Sequence, residues 1–385
     1  MPSIQILNTG RLDERESAFP QAVQLPGGDI LCSFGVGGGQ FVHGGTDWVR
    51  STDGGVTWRL EGQLLPPTSD PPSANFLKLS LSPDGQTIYA YGTRYWGSID
   101  DKFGERRGEA LFCVSTDNGR SWSSPQVIPM PDVPLEVSHS ILALAPGDAV
   151  GWDSFPTGDH GSTGGSGRSP NLHSGSGRLL APTGLLVSKD RLGEEVIVAV
   201  SDDGGRTWPA HRTVFKDPAG KFGFWEQKLV EFAPNQLMAV AWTITLGDYH
   251  DQPDSFAISR DGGWTWGPFQ STGIRGQTMT PLPLGGDRLL VLYNRRYGAQ
   301  GIVAVLATFT DTAWQVHHEQ LLYDARALRD GPASGNTGVD ELASFQFGFP
   351  TAIRLQDGTF LETHWCVEQG VSGIRWTKFR IDWPA

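Results

Sequence analysis

The chain has 385 residues, a formal net charge of −12 at pH 7, and 50 glycines, 26 prolines and 14 tryptophans. The acidic balance argues against nucleic acid and anionic membrane surfaces as partners. No apolar run approaches the roughly 20 residues of a membrane span. The length is large for one compact core but ordinary for a radial repeat of short strands separated by turns.

The N-terminal segment has neither a basic stretch nor a long apolar run, so we recognise no signal peptide. We therefore expect a cytoplasmic protein, or a secreted one if the natural chain carries a leader that this sequence lacks. The three cysteines, Cys32, Cys113 and Cys366, are sparse and lie in apolar contexts. They predict buried free thiols and no disulfide framework.

An eight-residue pattern, S-x-D-x-G-x-x-W, occurs four times, at residues 51–58, 115–122, 201–208 and 259–266. Each copy follows a short apolar, β-prone run. Its glycines permit a positive φ, and its Ser and Asp side chains can accept hydrogen bonds from the turn. The tryptophan supplies a large apolar surface for burial between sheets. The repeats therefore predict hairpin turns that stabilise a repetitive fold.

This motif resembles the Asp-box of the sialidase (neuraminidase) superfamily. The resemblance implies an all-β, six-bladed β-propeller in which the Asp-boxes join the two outer strands of a blade, away from the catalytic face. We expect a single domain over residues 1–385, with residues 3–8 as a lone strand that completes the last blade.

The predicted blades follow one another along the chain. Strand-like clusters lie at 16–65, 75–128, 168–208, 224–266, 276–323 and 345–381, and the fifth carries a degenerate Asp-box at 310–314. Residues 134–167 are irregular and become rich in Gly and Ser. We interpret them as a loop insertion over the propeller face.

Residues 225–232 resemble the sialidase segment in which a glutamate opens an inner strand. The resemblance assigns this role to Glu226, and a carboxylate at the mouth of an apolar strand suits a base or nucleophile. In the same way, Asp47 falls in the loop that carries the acid/base of the family. We predict Glu226 and Asp47 as the catalytic residues.

The chain departs from sialidases where they bind and cleave sialic acid. The resemblance implies three arginines around the substrate carboxylate, but Phe19 and Trp242 lie in the segments of the first two. Arg295 and Arg296 remain in the segment of the third. The nucleophilic tyrosine is expected near residues 345–350, which contain phenylalanines and no tyrosine. We therefore expect a sugar other than sialic acid.

Other polar and aromatic residues fall in loops or at strand ends that could face the central funnel. Carboxylates and aromatic rings together suit sugar binding, and no histidine pair has the spacing of a metal site. We predict no metal and no cofactor. The predicted substrate-binding residues are Arg295, Arg296, Glu16, His43, Asp101, Trp225, Trp242 and His364.

These features predict a sialidase-like glycoside hydrolase that acts on the ends of a carbohydrate chain. Three alternatives stay open: a true exo-sialidase with a rearranged site, a lyase acting on uronate polysaccharides, and a carbohydrate-binding propeller without catalysis. The sugar, the linkage, the stereochemical outcome and the oligomeric state are left open.

Overall fold

The structure, a computed structural model, describes residues 1–37, 44–97, 104–145, 177–325 and 345–384. These residues form 25 β-strands and no α-helix. No helix in the described residues is long and apolar enough to cross a membrane. The three cysteines are buried and free, as predicted.

Six antiparallel sheets form the six blades. The strands of each blade are given from the innermost to the outermost. Blade one contains β2 (Ser17–Gln24), β3 (Ile30–Val36), β4 (Gly45–Ser51) and β5 (Arg59–Leu65). Blade two contains β6 (Ser73–Leu81), β7 (Ile88–Trp96), β8 (Arg107–Ser115) and β9 (Gln126–Val127). Blade three contains β10 (Leu135–Glu136), β11 (Leu142–Ala143), β12 (Leu179–Leu186), β13 (Leu192–Ser201) and β14 (Ala210–Lys216).

The other three blades follow in chain order. Blade four contains β15 (Phe222–Ala233), β16 (Gln236–Thr245), β17 (Ser255–Ser259) and β18 (Gln270–Ser271). Blade five contains β19 (Gln277–Gly285), β20 (Arg288–Arg295), β21 (Gly301–Phe309) and β22 (Trp314–Asp324). Blade six contains β23 (Phe347–Arg354), β24 (Phe360–Glu368), β25 (Val371–Asp382) and the N-terminal strand β1 (Ser3–Asp13).

The N-terminal strand closes the ring, as the lone strand at residues 3–8 predicted. β1 pairs antiparallel with β25, from Ser3 opposite Asp382 to Asp13 opposite Ile374. Six apolar clusters fill the spaces between neighbouring blades, including the space between blades six and one. Because each blade buries both faces against its neighbours, the inner strands surround a central axis.

All four predicted Asp-boxes form the turn between the third and fourth strands of a blade. In the first copy the Ser51 hydroxyl accepts the Gly55 amide at 2.9 Å, and Asp53 accepts the Thr57 amide at 2.9 Å. The Trp58 indole donates to the Gly55 carbonyl at 3.0 Å. The degenerate copy at 310–314 occupies the same position in blade five. The Asp-boxes therefore mark one end of the propeller.

The insertion predicted at 134–167 needs correction. Its first residues are not a loop, because β10 and β11 lie there and form the inner strand of blade three against β12. The described flanks of the remaining segment lie at the Asp-box end, since Arg178 donates to the carbonyls of Asp261 and Gly262 at 3.2 and 3.0 Å. They do not lie at the opposite end, where the inner strands begin. The rest of the predicted insertion lies outside the described residues.

Candidate active site

Three inner strands carry a phenylalanine or a glutamate in a bulge near their start. In blades one, four and six the register with the second strand shifts at this point. Phe19, Glu226 and Phe349 lie in the three shifts with φ values of 59°, 51° and 56°. Left-handed backbone is uncommon for such residues, and bulges re-aim side chains next to active sites. The fold thus directs these side chains to the axis, where the rings of Phe19 and Phe349 are 5.3 Å apart.

Glu136 is the carboxylate that meets Glu226. The backbone amide of Glu226 donates a hydrogen bond of 2.9 Å to Glu136 Oε2, and the Ser138 hydroxyl donates to Glu136 Oε1. Glu136 is buried, whereas Glu226 is partly exposed. One carboxylate is therefore held as an acceptor, whereas Oε2 of Glu226 is a buried oxygen without a hydrogen-bond partner among the described residues.

Two buried lysines lie beside this carboxylate pair. Lys78 Nζ donates to the Val137 carbonyl at 2.7 Å and to the Phe76 carbonyl at 3.3 Å. Lys228 Nζ donates to the Ser138 carbonyl and lies 3.6 Å from the centre of the Phe349 ring. Lysines of blades two and four thus reach the inner strand of blade three, and Phe349 of blade six packs against both of them.

The pKa values of acidic and basic groups in the site are shifted from their ordinary values. Burial raises the pKa of Glu226 to about 7, although Lys228 opposes the rise and Glu136 adds to it. Burial also lowers the pKa of Lys228, although Glu226 opposes that shift. Perturbed groups in a cleft indicate a functional site when a specific charge partner accompanies the burial.

Burial lowers the pKa of His139 well below its usual value, and both lysines add to the effect. Its ring is therefore neutral, which agrees with the Leu229 amide donating to His139 Nδ1 at 3.3 Å. His139 is an acceptor that fastens the inner strand of blade three to blade four.

Asp47 is bound by Arg15 and Gln63. It lies in β4, buried, and accepts hydrogen bonds from Arg15 at 2.8 Å and from Gln63 at 3.2 Å. The sequence placed Asp47 in a loop, but the strand begins at Gly45. Its catalytic role remains a prediction, and the carboxylate that contacts Glu226 in the structure is that of Glu136.

The two predicted arginines have different surroundings. Arg295 binds the Ala299 carbonyl at 2.6 Å and forms an ion pair with Glu319 on β22, the outermost strand of blade five. Arg296 is buried between the rings of Phe345 and Phe347, 3.8 and 4.4 Å from their centres. Its charge also opposes the rise in the pKa of Glu226. Of the two, Arg296 belongs with the site.

Three predicted sugar-binding side chains are buried. Trp225 donates to the Leu192 carbonyl at 2.9 Å, and Trp242 donates to Asp251 at 2.8 Å. His364 is bound to Glu362 at 2.7 Å, with both side chains fully buried. These packed groups offer no free face to a sugar. Strand alternation could not reveal this, because both faces of a blade are covered.

Of the three remaining predicted residues, the structure describes Glu16. Glu16 lies exposed in the connection between β1 and β2, where its carbonyl accepts the Gly37 amide at 2.9 Å. His43 and Asp101 lie outside the described residues. In the described ranges, no group of three or more His, Cys, Asp and Glu side chains could hold a metal ion.

The sequence interpretation missed Glu136, Ser138, His139, Lys78 and Lys228. A signal was present in residues 135–144, L-E-V-S-H-S-I-L-A-L, which begin with apolar and polar residues in alternation. That alternation is typical of a strand. Because these residues were assigned to an insertion, the predicted blade three lacked its inner strand, which β10 and β11 form.

The fold is similar to known structures. A protein of unknown function from Dyadobacter fermentans matches with a TM-score of 0.72 and 20% identity, over 99% of this chain and 100% of the other. The NanB sialidase of Streptococcus pneumoniae matches with a TM-score of 0.59 and 12% identity, over 97% of this chain and 70% of the other. An α-L-arabinanase from Penicillium chrysogenum, complexed with arabinobiose, matches with a TM-score of 0.61 and 13% identity, over 97% and 98%.

No family model and no curated protein matches the chain. At such identities the similarity to solved structures concerns the fold and leaves the reaction to be argued from the site. The chain therefore has the six-bladed β-propeller fold found in sialidases and arabinanases, as its Asp-boxes predicted.

Proposed function

We propose that this protein is a glycoside hydrolase in which Glu226 and Glu136 act as the two catalytic carboxyls. The observation that carries the proposal is the contact between them at the propeller axis, where the Glu226 amide binds Glu136 Oε2 at 2.9 Å. Most glycosidases cleave their substrate with one carboxylic acid and one carboxylate on either side of the scissile bond. Two acidic residues from different blades are brought together here without a metal cluster in the described residues.

Glu226 is suited to be the general acid. Burial raises its pKa to about 7, so a large fraction carries a proton at neutral pH. The proton passes to the glycosidic oxygen as the bond from the sugar to that oxygen breaks. We assign this transfer to the carboxyl group of Glu226, which is partly exposed.

Glu136 is suited to be the nucleophile or the base. Its two oxygens accept hydrogen bonds from Ser138 and from the Glu226 amide, which fixes the carboxylate in one orientation. We propose that the reaction proceeds with retention, for which the two carboxyl groups lie about 5–5.5 Å apart. Glu136 then attacks the anomeric carbon, and water later releases the sugar.

The funnel favours a neutral sugar over sialic acid. Phe19 and Phe349 occupy the bulges of blades one and six, and a phenyl ring offers neither a nucleophilic oxygen nor a partner for a carboxylate. Arg296 is stacked between two rings and binds Gln277 at 2.9 Å. The structural similarity to an arabinanase complexed with arabinobiose agrees with a neutral glycan. We propose an exo-acting enzyme for such chains.

A panel of aryl glycosides tests this proposal. It should include pyranosides, the α-L-arabinofuranoside and the sialic acid derivative. The control is a variant carrying both Glu136→Gln and Glu226→Gln. We expect turnover of at least one neutral glycoside by the wild type and none by the double variant. Equal activity of the two proteins would contradict the proposal, and sugar binding without turnover would favour a carbohydrate-binding propeller. The cytoplasmic location stays a prediction.

A further inference from the structure

We propose that Lys228, assisted by Lys78, is a positioning residue that holds the inner strand of blade three in the shape that presents Glu136 to Glu226. The inference rests on the proposed function, since it explains how that carboxylate pair is assembled. It assigns a role to two buried lysines, from blades two and four, that both donate to the same short segment of blade three.

The inner strand of blade three is interrupted. Glu136 pairs with Gly184 and Leu142 pairs with Leu180, so five residues, 137–141, lie opposite only three, 181–183. The ladder to β12 is lost over this stretch, which leaves backbone groups in need of other partners. Buried backbone carbonyls without partners are costly.

The lysines supply those partners. Lys78 Nζ binds the Val137 carbonyl at 2.7 Å, and Lys228 Nζ binds the Ser138 carbonyl. The Leu229 amide adds a bond of 3.3 Å to His139 Nδ1. Three consecutive residues directly after Glu136 are therefore fastened to blades two and four. The Ser138 side chain in turn binds Glu136 Oε1, which links the fastened segment to the carboxylate.

The cost of these lysines indicates that they are not ordinary core residues. Lys228 has no exposed surface and Lys78 has 3%. Lysine is almost never fully buried without compensation, because desolvating an ammonium group is expensive. A methionine would fill the same volume without this penalty. Both lysines donate to the interrupted strand and lie over the ring of Phe349, and these contacts compensate for their burial.

Variants of Lys228 separate positioning from simple packing. Lys228→Met keeps the volume and removes the donor, whereas Lys228→Gln keeps an N–H donor and removes the charge. Loss of alignment of a catalytic group by about 1 Å can cost about 100-fold in rate. We expect kcat to fall about 100-fold in Lys228→Met with KM little changed, and to fall less in Lys228→Gln. The matched control is Lys189→Met, on the exposed surface.

Hydrogen exchange provides a readout that does not depend on catalysis. In Lys228→Met we expect the amides of residues 137–141 to exchange at least about tenfold faster. The reason is that the hydrogen bond from Lys228 no longer opposes local opening of this segment. Those of the Asp-box turns should not change. If Lys228→Met does not fold, the same two measurements are made on Lys228→Gln. A fall in kcat together with faster exchange of residues 137–141 then supports the positioning role.

Unchanged exchange in 137–141, or kcat values of Lys228→Met and Lys228→Gln that match the wild type, would overturn the positioning role. Failure of the proposed function has a different signature. In that case the wild type would show no turnover, or the double variant Glu136→Gln, Glu226→Gln would keep it. The exchange result for Lys228→Met would still report whether Lys228 restrains residues 137–141.

Discussion

The amide of Glu226 donates a 2.9 Å hydrogen bond to Glu136 Oε2, joining blade four to blade three at the propeller axis. The position of each residue depends on a local irregularity in its own strand. Glu226 depends on a left-handed bulge with φ of 51°, and Glu136 precedes a five-residue interruption of its strand. Two local irregularities in neighbouring blades therefore create one site.

Replacing Glu136 by alanine should remove the nucleophile. We expect kcat on an aryl glycoside to fall at least about 100-fold, because no carboxylate remains to attack the anomeric carbon. Added azide should restore turnover and yield a glycosyl azide with configuration inverted relative to the substrate, which NMR of the product detects. The Asp47→Ala variant serves as the comparison. Azide rescue of Asp47→Ala and not of Glu136→Ala would assign the nucleophile to Asp47.

The pH dependence of kcat/KM should report the protonation of Glu226. Burial raises its pKa to about 7, and the acid form exists below that value. The rate should therefore fall about tenfold for each pH unit above about 7. In Glu226→Gln the amide does not titrate, so this alkaline limb should be absent. A wild-type profile that rises through pH 7 would contradict an acid role for Glu226.

The pair formed by His364 and Glu362 should make stability pH-dependent. Burial alone would lower the pKa of His364, but Glu362 at 2.7 Å raises it to about 9. The charged histidine therefore stabilises the fold fully below about pH 6.5, its ordinary value, and this contribution disappears as the pH rises through about 9.

Glu362→Gln leaves the buried imidazolium without its counter-charge. We expect the free energy of unfolding at pH 6 to fall by about 3 kcal/mol, in the range for breaking a buried ion pair. The loss of stability between pH 6.5 and 9 should become smaller. Denaturant unfolding at several pH values measures both effects, with the exposed His250→Gln as the control. If the free energy of unfolding falls equally between pH 6.5 and 9 in Glu362→Gln and in the wild type, this would argue against a charged His364.

The Asp-box carboxylates should contribute to stability and not to catalysis. Asp53→Ala removes the acceptor of the Thr57 amide at 2.9 Å and the Val56 amide at 3.1 Å. We expect a loss of about 1 kcal/mol in unfolding free energy, as for a lost capping residue. The comparison is Asp311→Ala, in the degenerate turn of blade five. A fall in kcat/KM for Asp53→Ala with unchanged stability would contradict this separation.

Much of the fold was predictable because its signals are local. Each Asp-box encodes its turn in eight residues, so Ser51, Asp53 and Gly55 predict hydrogen bonds that do not depend on the rest of the chain. The closing strand was likewise visible at residues 3–8. Glu226 was predicted as a site residue because a resemblance pointed to its segment.

The partner of Glu226 was not predictable in this way. Glu136 sits in a two-residue strand, and its neighbours are fixed by Lys78 and Lys228 from distant parts of the chain. The same holds for Trp225 and Trp242, which were expected in the funnel and lie in the core. In a propeller every strand alternates between two buried faces, so periodicity does not tell which side chains reach the axis.

The most direct test of the central claim compares wild type and Glu226→Gln on aryl glycosides of the preferred sugar with good and poor leaving groups. A general acid matters most when the leaving group is basic. We predict that kcat/KM falls at least about 100-fold for the poor leaving group and much less for the good one, with an unchanged unfolding midpoint. Equal rates for both proteins across the series would contradict the assignment of Glu226 as the catalytic acid.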